Sequence, residues 1–272
     1  MPSLKLFAKR ALARVYRALL HREAGRDVIL LYHSVGGGPV STPVSAFRQQ
    51  MEWLAQHAEV LPLGEILTTR NAGQLRVAIT FDDGYASLHT HAAPVMEQFD
   101  MVATIFLTTG MIDELNGLPS NPDFGHYPLE TFLSWKQILE LISSGWTLGC
   151  HGWQHLDSTR INDQVFKENI LRCKAAIAIH TGLSARWLAF TWGRFEERHL
   201  IAAKALGMDY AFSCIHGGVN VSLEDEAIDA VNRIDIRPDV SLTDFSSIVM
   251  GNWDFLGRLQ LMRLHLRAGN AR

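Results

Sequence analysis

The chain has 272 residues, of which 47% are hydrophobic and 19% charged, and its net charge is −3. That is enough apolar sequence for one large core, and α/β barrels of this length are routinely single domains. The charge balance gives no support for a nucleic-acid partner, and no stretch approaches the ~18 unbroken apolar residues that a membrane-spanning helix needs.

The average conceals a polarised chain. Residues 1–26 carry Lys5, Lys9, Arg10, Arg14, Arg17, Arg22 and Arg26 against Glu23 alone, so this segment is about +6 and the remainder about −9. Within it, residues 4–20 read as a basic amphipathic helix, with Leu4, Phe7, Ala11, Leu12, Val15 and Leu19 at helical spacing. Such a helix either makes peripheral contact with an anionic membrane or docks on the body of the domain. Charges interrupt the segment throughout, unlike the apolar stretch of a signal peptide. The cysteines, Cys150, Cys173 and Cys214, show no C-x-x-C spacing and suggest small buried hydrophobes in a reducing compartment. Together these features point to cytoplasmic placement, with the inner membrane face as the place of any attachment.

From residue 27 short apolar runs alternate with helical patterns. Strands are expected at Val28–Val35, Val77–Phe81, Val102–Leu107, Trp146–Cys150, Trp187–Trp192, Tyr210–Cys214 and Arg233–Ile236. Helices are expected over 44–57, 88–98, 134–144, 162–181, 195–206 and 241–250. Alternation of this kind implies a parallel sheet, and seven strands with no glycine-rich nucleotide turn favour barrel-like closure. A long turn-rich stretch, Met111–Thr131, follows the third strand and reads as a substrate-facing loop. The expected division is a basic helix over 1–26, a catalytic domain over 27–250 and a helical extension over 251–272.

Polar residues gather where the strands end. Val77-Ala-Ile-Thr-Phe-Asp-Asp-Gly84 delivers two adjacent carboxylates, and Trp146-Thr-Leu-Gly-Cys150 leads into His151-Gly-Trp-Gln-His155. His33 ends the first strand, and Thr191–Gly193 end the fifth. In β/α barrels the C-terminal rim is where such groups converge on a site. One carboxylate with two histidines four residues apart makes a three-ligand set for a zinc-like ion with an open position. The remaining carboxylate is then a base for hydrolysis. His151-x-x-x-His155 is not a zincin motif, because Gly152 stands where that motif has glutamate.

Thr80-Phe-Asp-Asp-Gly84 and His151-x-x-x-His155 resemble the first two signature motifs of the polysaccharide deacetylases, the NodB-homology or carbohydrate esterase family 4 group. Leu31-Tyr-His-Ser-Val35 and Asn232-Arg-Ile-Asp-Ile236 further resemble the branch that deacetylates exopolysaccharides, including poly-N-acetylglucosamine. The resemblance implies a single-domain, distorted (β/α)7 barrel and a hydrolase that releases acetate from an N-acetylated glycan or its lipid-linked precursor. It implies that Asp83, His151 and His155 hold a divalent ion, with zinc first and cobalt, nickel or iron as alternatives. It makes Asp82 the base and His33 the acid, with His216 as second choice and a structural role for His33 still open.

The third motif departs from the family. Phe190-Thr-Trp-Gly193 lacks the usual proline, and no arginine sits where some relatives orient the base. Arg233 or Arg186 is the replacement candidate, and Trp192, Gly193 and Arg233 are expected to contact substrate. The altered motif leaves open hydrolysis of another C–N bond, such as a cyclic amide, or a non-catalytic carbohydrate-binding protein. Oligomeric state is not legible.

Overall fold

The computed structural model describes residues 4–19, 25–112, 125–221 and 230–269. Its centre is a nine-stranded sheet in which every named strand pair is parallel. The strands are β1 (Arg26–Tyr32), β2 (Glu59–Val60), β3 (Leu75–Asp83), β4 (Thr104–Leu107), β5 (Thr147–Cys150), β6 (Trp187–Ala189), β7 (Tyr210–Phe212), β8 (Ala230–Val231) and β9 (Ile234–Asp235). Their order is β8-β7-β6-β5-β4-β3-β1-β9, with β2 on the side of β3.

The two ends of that order are neighbours in sequence. Only Asn232 and Arg233 separate β8, which pairs with β7, from β9, which pairs with β1. One kinked strand therefore joins the edges and completes a seven-stave, distorted (β/α)7 barrel.

Helices cover the outside. They are α1 (Leu4–Leu19), α2 (Val44–His57), α3 (Leu63–Thr68), α4 (Ala93–Glu97), α5 (Trp135–Ser143), α6 (Asp163–Thr181), α7 (Glu197–Ala205), α8 (Leu242–Val249) and α9 (Phe255–Gly269). Local sequence sets several ends. Ser134 and Gln137 form a reciprocal capping box on α5, Asn162 caps α6, and Gly182 ends α6 at φ +72.

Strand alternation divides the core. Val28, Leu30, Tyr32, Val77, Ile79 and Phe81 pack outward beneath the helices. Ile29, Ala78, Phe106, Ala189, Phe212 and Val231 pack inward, joined by Leu63, Ile66 and Leu67 of α3. Tyr210 donates to the carbonyl of Leu67, and Gly64 lies against Trp187, so α3 plugs the barrel where β6 and β7 begin. The opposite rim remains for chemistry.

Several expectations change in detail. β2, α3 and β8 are too short or too weakly patterned to be read from sequence. The helix expected over 88–98 begins as a π turn at Leu88–Ala92 before α4. The strand expected to reach Trp192 stops at Ala189, because Thr191–Gly193 form a tight turn with Trp192 at φ +52. In the long stretch after β4, residues 113–124 lie outside the described residues.

Candidate active site

Strand register brings the site together. Tyr32 pairs with Phe81, so His33 follows β1 alongside Asp82. Asp83 pairs with Leu107 and Leu107 with Cys150, which sets His151 at the same rim. Consecutive strand residues normally point to opposite faces. Asp83 is held at φ +70 at the end of β3, a left-handed backbone uncommon outside glycine, and this turn lets both neighbouring carboxylates serve one site.

The Nε2 atoms of His151 and His155 lie 3.6 and 3.4 Å from Asp83 Oδ1. All three side chains are buried, and their ligand atoms lie within 4.8 Å of one another. Donors ~2.0–2.2 Å from a tetrahedral ion stand about 3.4 Å apart, so this spacing fits a zinc-sized cation. Asp83 Oδ1 is moreover buried with no hydrogen-bond partner, a costly state unless a cation takes its lone pairs. The His151 Nδ1–H donates to the Ala189 carbonyl at 2.8 Å, which directs Nε2 toward the carboxylate. Burial pulls the His151 pKa down and favours the neutral imidazole that ligation requires, partly offset by Asp82.

Asp82 is gripped by Arg233. Nη1 and Nη2 donate to Oδ1 and Oδ2, each at 2.7 Å. Arg233 also donates to the Ser213 carbonyl at 3.1 Å and to Thr80 Oγ1 at 3.3 Å, with its guanidinium over Phe106. Burial opposes ionisation of Asp82, but the Arg233 guanidinium outweighs it and holds the carboxyl below its ordinary range. Arg233 is wholly buried, so the structure places it behind Asp82 rather than on a substrate-contacting surface. Arg186, the other candidate, pairs with exposed Asp209.

His33 is partly exposed at the rim beside both carboxylates. Its ring stacks on Tyr127 at 5.5 Å. His216, the second choice, faces elsewhere, with Nε2 4.0 Å from Asp254 and burial pulling its pKa down to about 4. Trp192 is 43% exposed and stands edge-on to His155 at 4.4 Å, forming a wall beside the ligand set. Gly193, at φ +63, has no room for a Cβ, which would lie 2.6 Å from Cys214 N.

The long loop, expected to face the substrate, returns to the rim, but the residues that make its contacts were not read from sequence. His126 sits 5.7 Å from the His155 ring, and Tyr85 accepts from the Tyr127 N–H at 2.8 Å. Buried Glu130 hydrogen-bonds Ser34, the residue after His33. No sequence spacing announces these contacts, because residues 125–132 meet the rim only through the fold.

A polysaccharide deacetylase family model matches residues 69–211, more than half of the chain. The chain belongs to the polysaccharide deacetylase family, and it is a carbohydrate de-N-acetylase. It is 26% identical over 270 residues to a poly-beta-1,6-N-acetyl-D-glucosamine N-deacetylase of Staphylococcus epidermidis, covering 92% of this chain and 86% of the relative. Among solved structures it resembles IcaB from Ammonifex degensii, with TM-score 0.68 at 20% identity over 86% of this chain and 100% of the other. It also resembles the Streptococcus pyogenes deacetylase PplD in complex with acetate, with TM-score 0.67 at 19% identity over 82% and 98%. At these identities the structural likeness establishes the fold.

Proposed function

We propose that this enzyme removes N-acetyl groups from glucosamine units of a polysaccharide or its lipid-linked precursor, using a divalent ion, foremost zinc, held by Asp83, His151 and His155. The observation that carries the reading is the unpartnered, buried Asp83 Oδ1 facing two imidazoles, with a second carboxylate beside it. When bound, the ion supplies Lewis acidity toward the amide carbonyl and the attacking water.

The chain supplies the proton handling. Asp82 accepts the proton of the attacking water, and Arg233 fixes the orientation of both its oxygens while keeping it ionised. His33, at the open side of the rim, protonates the departing amine. Trp192 offers an apolar ring face to the sugar, and Gly193 allows the turn that presents it.

Acetate release from poly-N-acetylglucosamine and chitooligosaccharides, measured with added zinc, tests the proposal. Wild type is expected to release acetate, and Asp82→Asn to bind the same glycans while releasing almost none. Equal acetate release by both proteins removes Asp82 from the role of base, and glycan binding without acetate from either removes the catalytic reading.

A further inference from the structure

α1 has two apolar faces, and the docked one is not the face that dominates its sequence. Leu6 packs against the core, Ala13 is buried, and Arg10 makes a bidentate pair with Asp244 at 2.9 and 2.6 Å. Tyr16 meets Phe255 of α9 edge-on at 5.8 Å. These four residues form the stripe that holds the helix to the body.

On the opposite side Phe7, Leu12 and Val15 are 66%, 53% and 57% exposed, with Ala8 and Ala11 exposed between them. At ~100° per residue these five positions span an arc of about 140° centred opposite the docked stripe. The outer face of a solvated surface helix is normally polar. Exposed Lys9 and Arg14 flank this arc on its two edges, and α1 contains no acidic residue.

α9 repeats the pattern beside it. Arg258 lies over the Tyr16 ring at 5.7 Å, and Leu259 and Met262 are exposed together with Arg263. This helix too has no acidic residue. Six of the sixteen large hydrophobics exposed among the described residues fall on these two helices, which concentrates them in one region. The segment up to residue 26 is positive while the rest of the chain is negative.

We propose that the outward face of α1, supported by α9, is a peripheral docking surface for an anionic lipid bilayer. An apolar arc edged by Lys and Arg buries its hydrophobic side chains at the headgroup–acyl boundary while the cations meet lipid phosphates. A second copy of the chain is a poorer occupant. A two-fold interface through this face sets Lys9 and Arg14 against the same charges of its mate. Among the described residues no helix is long and apolar enough to cross a membrane, so the contact is one of lying on the surface.

Co-sedimentation of the full chain with phosphatidylcholine vesicles and with equimolar phosphatidylcholine–phosphatidylglycerol vesicles tests the proposal. Wild type is expected in the pellet only with the anionic vesicles, and high salt should release it. The triple variant Phe7→Ser, Leu12→Ser, Val15→Ser keeps the charge and is expected to lower partitioning about tenfold or more, since binding scales with buried apolar area. Lys9→Glu with Arg14→Glu, tested separately, should abolish the preference for anionic vesicles. Thermal unfolding and turnover of soluble chitooligosaccharides should be unchanged in the triple variant, which separates a lost surface from a lost fold. Wild type that stays in the supernatant, or a triple variant that pellets like wild type, overturns the proposal. So does a wild-type dimer in light scattering that the triple variant converts to monomer. None of the vesicle readouts depends on deacetylation, so failure of one reading leaves the other standing.

Discussion

Arg233 and Asp82 lie 151 positions apart and meet as a fully buried, two-pronged ion pair, with both carboxylate oxygens held at 2.7 Å. The pair joins the kink that closes the barrel to the strand that carries the site. Removing one partner of such a pair leaves an unpaired buried charge and costs ~3–5 kcal/mol. Arg233→Met is therefore expected to lower the urea midpoint strongly, and the double variant Arg233→Met, Asp82→Asn to recover part of the loss. Arg233→Lys keeps the charge but not the fork, so it should reduce kcat for acetate release more than it alters KM. Denaturation curves and steady-state kinetics on the same preparations check both.

The ligand set predicts its own metal response. Asp83→Ala, His151→Ala and His155→Ala are each expected to weaken zinc or cobalt binding by more than the ~10–100-fold typical of outer-shell losses. Calorimetric titration reads the affinity, and the cobalt(II) visible spectrum reads the geometry. Chelation should abolish acetate release and added zinc restore it. Tight, unaltered metal binding by all three variants would remove these residues as ligands.

Trp192 is built into the rim at a conformation that favours glycine, φ +52. A role as sugar platform predicts that Trp192→Ala raises KM for oligosaccharides with little change in kcat. The expected size is ~2–10-fold, the equivalent of an aromatic contact worth ~0.5–1.5 kcal/mol. Because the substitution leaves the strained backbone in place, thermal stability should change less than KM. Steady-state kinetics on soluble oligomers of increasing length separates these outcomes.

Acid is expected to loosen α1. Burial alone raises the Asp244 pKa, but hydrogen bonds from Arg10 and Ser241 outweigh it, leaving the folded-state value below the ordinary one. The unfolded chain then binds more protons across that interval. The contribution to stability is fully present above the usual aspartate value near ~4 and is lost as pH falls through the lower folded-state value. Limited proteolysis across this acid range should show α1 released before the body unfolds. Arg10→Ala should show the same susceptibility at neutral pH.

Much of the candidate site was legible because it is local. Thr80-Phe-Asp-Asp-Gly84 and His151-x-x-x-His155 each carry their chemistry within a few residues of a strand end, and parallel register gathers strand ends on one rim. The α2 boundaries were legible for a similar reason, since Pro43 precedes the helical pattern and α2 runs over Val44–His57. β2 and β8 are two residues each, too short for any periodicity to show. For α1 the sequence left both readings open, because its strongest apolar stripe points outward while the docked side is marked by Leu6, Ala13, Tyr16 and the Arg10–Asp244 pair.

The sequence by itself determined the class of fold and the three candidate ligands with their neighbouring carboxylate, since periodicity and motif spacing are properties of contiguous residues. The tertiary structure decided what stands behind Asp82, which histidine shares its rim, and what walls the site. Arg233 reaches Asp82 only once the kinked strand has closed the barrel, His33 comes alongside through the pairing of β1 with β3, and the loop at His126–Glu130 returns against the end of β3. Their contacts depend on which side chains face inward at one depth, and that is fixed by register between distant strands rather than by any spacing along the chain.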